Sequence, residues 1–101
     1  MIKKYAVKTE SGSYYYIEDH SHLFGYPTWF IELKGRRFFI VALALSTMLH
    51  DENIIPIHKV NSIEQFKGMI FFSPKQIHQP DYHSLRTAGK TNFVSEIIQF
   101  K

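Results

Sequence analysis

The chain has no cysteine. Disulfides, thiolate metal ligands and cysteine nucleophiles are therefore excluded, and the absence fits a reducing compartment. Long apolar runs are also missing. The longest, Phe38 to Leu45 ("FFIVALAL"), falls far short of the ~20 residues a membrane helix needs. The opening "MIKKYAVKTE" meets charge at once and lacks the apolar centre of a signal peptide. The expectation is a cytoplasmic protein with no membrane partner. No G-x-S-x-G nucleophile elbow occurs. "TAGKT" at 87–91 ends like a phosphate loop, but position 84 is Ser84 where the first glycine should stand. It reads as a turn, and no motif calls for a cofactor. Repeats, low-complexity tracts and linkers are absent, so residues 1–101 read as one domain.

What is present is apolar and aromatic. Hydrophobic residues make up 45% of the 101, with nine Phe and six Tyr. Such a chain folds rather than staying disordered, and rings of this kind favour sheets. The net charge of +3 permits an acidic partner without demanding one.

The pattern predicts an α+β fold. A mainly antiparallel sheet of five or six strands, as a partly closed barrel in one version, carries one or two short helices. "IKKYAVKTESGSYYYIED" reads as a hairpin. A two-residue turn at Ser11-Gly12 pairs Lys4 with Asp19, Ala6 with Ile17, Val7 with Tyr16 and Thr9 with Tyr14. A second hairpin turns at Lys34-Gly35, pairing Glu32 with Arg37 and Phe30 with Phe39. It places Trp29, Ile31, Phe38 and Ile40 on the core face. "FFIVALALSTML" suits strand or helix; strand to about Leu45 is preferred, followed by a turn or short helix reaching His50. "IIPIHKV" reads as a short strand that Pro56 confines to an edge, a bulge or a strand start. "NSIEQFKGM" is the clearest helix, capped by Asn61 or Ser62, with Ile63 and Phe66 facing inward. "MIFFS" is a strand ending at Pro74. Residues 74–92 are irregular, with a short helix between Pro80 and Gly89. "NFVSEIIQF" is a final strand anchored by Ile98 and Phe100, and a route to a homodimer if it lies at a sheet edge.

The polar residues offer several chemistries. His20 and His22 are two apart, and Glu18 shares their parity, so a strand would put all three on one face as metal ligands. The bland alternative is a polar connector through Gly25 and Pro27, and no metal ligands are assigned. His78 and His83, with Arg86 and Lys90, resemble the tools of metal-free RNA cleavage if a loop gathers them. Otherwise they form a solvated basic loop. In the two-residue register Tyr5, Tyr14 and Tyr16 share one face, with Lys4 and Lys8 opposite. Those rings would cover the core, contact a protein or stack bases. "KGRR" at 34–37, joined by Lys75, Arg86 and Lys90, would contact phosphate if folding collects them.

The function expected is a small non-enzymatic binding or regulatory protein. Its surface of Tyr5, Tyr14, Tyr16, Arg36, Arg37, Lys75, Arg86 and Lys90 would meet a protein or nucleoprotein partner. Direct nucleic-acid binding is one alternative, and a histidine-dependent nuclease or metal enzyme is another.

Overall fold

A computed structural model describes residues 2–25, 27–46 and 50–100. Its strands are β1 (Lys3–Thr9), β2 (Tyr14–Asp19), β3 (Trp29–Leu33), β4 (Arg36–Ala44), β5 (Ile54–Pro56), β6 (Met69–Ser73), β7 (Gly89–Lys90) and β8 (Val94–Gln99). Two one-turn helices, α1 (Ser21–Phe24) and α2 (Tyr82–Leu85), and two 3-10 turns complete the described elements. All pairings are antiparallel, in the order β7-β6-β4-β3-β2-β1-β8, with β5 added beside β4. The Val94 N–H donates to the Gly68 carbonyl at 2.7 Å, and the Thr91 N–H to that of Ile70 at 3.0 Å. These bonds draw the entry to β8 against β6 and curl the sheet into a half-barrel. Among the described residues no helix is long and apolar enough to cross a membrane.

The strand count exceeds the five or six expected, and the fold is mostly β. The two-residue β7, which no pattern named, carries too few residues to show a period of two. The "NSIEQFKGM" helix does not form. Residues 61–68 turn once, with the Phe66 N–H donating to the Ile63 carbonyl at 3.0 Å. Two turns of helix cost more to nucleate than they return, whereas Ile63 in a loop reaches complete burial in the main core. Ile63 and Phe66 face inward as the pattern predicts, Ile63 in the core and Phe66 packed against it. Gly68 follows at φ +156, where an added Cβ would collide with the Ala44 carbonyl oxygen. Between Pro80 and Gly89 a helix does form. Asp81, not Pro80, opens it through a capping box with Ser84, and Gly89 begins β7.

The β3–β4 hairpin has the register expected, with Lys34 and Gly35 both at positive φ in a tight primed turn. The β1–β2 hairpin is shifted by one residue. Lys3 pairs with Asp19, Tyr5 with Ile17 and Val7 with Tyr15. Its loop has three residues rather than two. The Thr9 N–H bonds to the Ser13 carbonyl at 3.0 Å, and Gly12 sits at φ +87. Only glycine takes that left-handed position at little cost.

Val7, Ile17, Ile31, Ile63, Ile70 and Val94 are wholly buried in the main core on the concave face. Each contributes ~1.5–3 kcal/mol by leaving water. A bulge at Val41 reverses the alternation along β4, so Ile40 and Leu43 share the main core. Strict alternation had put them on opposite faces. Val41, Ala42 and Ala44 join a second cluster with Phe71 and Leu85 on the convex side. The strand ends at Ala44. The turn or short helix expected next falls partly on 47–49, outside the described residues. Segments bearing Ile77, Leu85, Ala88 and Phe93 thus pack on the convex side of β4 and β6. They leave the convex face of β3, β2, β1 and β8 as a distinct surface.

Candidate functional site: the outer face of the sheet

The one-residue shift decides what this outer face carries. Because β1 pairs Lys8 with Tyr14, Ala6 with Tyr16 and Lys4 with Glu18, these side chains share one face. The next ladder adds Glu96 opposite Lys8 and Ile98 opposite Ala6. The Phe100 N–H donates to the Lys4 carbonyl at 2.8 Å, which places Phe100 beside Lys4. On the other side, Glu32 lies opposite Tyr16 and Phe30 opposite Glu18. The outer face therefore reads Tyr14, Tyr16, Ile98 and Phe100, bordered by Lys4, Lys8, Glu18, Glu32 and Glu96.

These apolar groups are exposed: Tyr14 by 64%, Tyr16 by 53%, Ile98 by 52% and Phe100 by 48%. Ile98 and Phe100 do not anchor the chain end in the core, as the sequence pattern implied. The rings of Tyr16 and Phe100 stack with centroids 6.0 Å apart and planes at 29°. They flank Ala6, whose small side chain lets rings from β2 and β8 meet across β1. Lys8 lies over the Tyr14 ring, 5.9 Å from its centroid. A depression of about 430 Å³ runs between Lys4, Tyr16, Glu18, Glu32 and Phe100.

The charges on this face balance. Glu18 meets Lys4 at 3.8 Å and Arg37 at 3.3 Å. Glu32 opposes Arg37 across the ladder, and Glu96 opposes Lys8. Arg37 also covers the Phe30 ring at 5.3 Å. His20 Nε2 lies 2.9 Å from Glu18 Oε1, and its ring meets Phe30 edge-on at 5.0 Å. The bond from His20 holds the Glu18 carboxyl below its ordinary range, helped by Arg37 and Lys4 and opposed by desolvation.

His20 and Glu18 do come together, but His22 moves onto α1. Among the described residues no three His, Asp or Glu side chains gather in a way that would hold a metal ion. The Ser21 hydroxyl donates to Asp19 Oδ1 at 2.5 Å and accepts from the Thr28 N–H at 3.0 Å. Those bonds fix the connector and leave the serine turned to Asp19 rather than to the imidazole. Much of the "EDHSHLFGYPT" stretch is thus a polar clasp between β2 and β3.

The remaining expected site residues take other positions. Tyr5 is 5% exposed and stacks on Trp29 at 5.8 Å, so it belongs to the core. Burial raises its hydroxyl pKa, with Asp19 and Glu64 adding to the effect. Arg36 and Arg37 are adjacent on β4 and point to opposite faces; Arg36 lies over Phe38 at 5.4 Å. Lys75 follows β6, Arg86 follows α2, and Lys90 sits on β7 opposite Phe71. His78 lines a cleft of about 380 Å³ with His58 and Ile77, while His83 lines another with His50, Asp51 and Tyr82. The two histidines of the nuclease reading therefore face different clefts, and neither Arg86 nor Lys90 lines either one.

Four residues of the outer face, Lys4, Lys8, Ile98 and Phe100, were not among the expected site residues. For Lys4 and Lys8 the signal is Gly12, since a three-residue loop with glycine last sets the β1–β2 register, whereas Ile98 and Phe100 are placed by the long-range pairing of β1 with β8. Comparison with protein-family models, curated proteins and solved structures finds no match to this chain.

Proposed function

We propose that the chain is a non-enzymatic binding protein that docks a protein partner on the outer face of β3, β2, β1 and β8. Tyr14, Tyr16, Ile98 and Phe100 supply the contact. The observation that carries this reading is the exposed Tyr16–Phe100 stack on a sheet whose other face is core. Aromatic side chains pre-ordered on a rigid element lose little entropy on binding and are enriched among the strongest contacts of interfaces. The balanced charges favour a protein over a nucleic acid, because phosphate binding needs cations that acids have not already neutralised.

A second reading, direct nucleic-acid binding, draws on one observation. Lys4 and Lys8 share the face with the tyrosines, the arrangement a stacking platform uses.

The test is capture from a lysate of the source cells, comparing the wild-type chain with Tyr16→Ala and Phe100→Ala. A protein held by the wild type and weakened by ~10-fold or more in either variant supports docking on this face, since that loss matches ~1.4 kcal/mol. Unchanged capture overturns it. In parallel, single-stranded RNA is titrated at about 50 and 200 mM salt. Tight binding that collapses with salt and weakens in Lys4→Gln and Lys8→Gln replaces the protein reading with the nucleic-acid one.

A further inference from the structure

The sheet treats its edges unequally. At one end β7 is two residues long and carries Lys90, and beside β4 the short β5 ends in Pro56. Short strands, lysine and proline all discourage pairing with another chain. At the other end β8 is six residues, "VSEIIQ", with neither proline nor lysine, and its sole charge lies opposite Lys8. The Phe100 N–H points to β1, so by ladder alternation Ile98 and Glu96 also bond inward. Ile97 and Gln99 then direct their N–H and carbonyl groups away from the sheet. At the start of the same edge, the outward N–H of Val94 bonds to Gly68. Beyond it, among the described residues, no strand covers the edge.

We propose that β8 pairs antiparallel with β8 of a second copy, about a two-fold axis at Ile98. Three considerations select a copy of this chain and this register. Outward groups belong to odd-numbered residues near the centre, so only registers joining odd to odd complete a ladder. Centring on Glu96 would set two carboxylates opposite one another, which costs stability, centring on Ile97 would face each Ile98 with a Glu96, and centring on Gln99 would carry the ladder past the end of β8. Centring on Ile98 instead opposes Ile98 to its own copy and Glu96 to Phe100, while each Ile97–Gln99 pair exchanges both ladder bonds. The half-exposed Ile98 then gains an apolar neighbour. This association runs through the backbone edge of β8 rather than the ring stack of the docking face, shares Ile98 with that face, and would place two such faces side by side.

The test is sedimentation velocity on the untagged full chain from about 1 to 100 μM, a range that spans standard protein–protein affinities. The wild type should convert from monomer to dimer within it. Ile98→Lys sets two ammonium groups opposite each other at the axis, and Gln99→Pro removes an outward donor while sparing the ladder to β1. Each should raise the dimer dissociation constant by ~10-fold or more, with far-UV circular dichroism and Trp29 emission unchanged. Hydrogen exchange on the wild type supplies a readout that needs no variant: the Ile97 and Gln99 amides should gain protection as concentration rises. A wild type that stays monomeric to 100 μM overturns the proposal. So does a dimer that neither variant weakens, or edge protection that arises only with a different, co-purifying protein.

Discussion

Ile63→Ala tests the segment where sequence pattern and structure part most sharply. Ile63 is wholly buried, yet it sits in a loop with one local backbone bond rather than in a helix. Truncation loses the transfer energy of the removed methyl and methylene groups and leaves a cavity, so the cost is ~2–5 kcal/mol. The centre of that range, ~3.5 kcal/mol, is a large share of the ~5–15 kcal/mol expected for the whole domain. Urea unfolding followed by Trp29 emission reads it directly, because the chain has one tryptophan and it is buried against Tyr5. Ser62→Ala is the control. Ser62 is exposed and no helix starts after it, so its removal should change stability by less than ~0.5 kcal/mol. A capped helix changes only the control: losing the cap costs ~1 kcal/mol. A loss of ~1 kcal/mol for Ser62→Ala, or a small effect for Ile63→Ala, would refute the loop-and-plug account.

Gly68→Ala should destabilise the fold by more than ~1 kcal/mol, since the new methyl meets the Ala44 carbonyl and the backbone stands at φ +156; thermal unfolding checks it. Acid titration tests Glu18. Its folded pKa lies below the unfolded value of ~4.3, so its contribution is present above that value and disappears as pH falls through the folded pKa. Melting temperatures measured from pH 7 to 3 should therefore drop more steeply for the wild type than for Glu18→Gln, and parallel curves would remove Glu18 from the account.

How far the sequence could be read depended on how many registers each segment allowed. At Lys34-Gly35, only one turn sets Glu32 against Arg37, and the structure has that turn. The first hairpin offered no such choice. Glu18 and Asp19 are adjacent, so Lys4 meets an acid in either register, and three consecutive tyrosines put a ring on both faces whichever way the strand slips. Period-two reasoning also failed at Val41, because a bulge leaves no mark in a run as uniformly apolar as "FFIVALAL". The outer face inherits these errors. Tyr14 and Tyr16 lie on it, Tyr5 turns to the core instead, and Lys4 and Lys8 share the face of the rings that the two-residue register sets opposite them. Convergence of Arg36, Lys75, Arg86 and Lys90 depended on long-range topology that no local pattern encodes.

The Val41 bulge divides the sheet into two parts with different freedom to vary. Around β4 and β6 both sides are packed, so almost any substitution there disturbs a neighbour. From β3 to β8, residues that hold the fold alternate with residues that meet solvent: Val7 with Ala6 and Lys8, Ile17 with Tyr16 and Glu18, Ile31 with Glu32. Selection can therefore rewrite one set while leaving the other untouched. The solvent-facing set can change in small steps, each with little penalty in foldability.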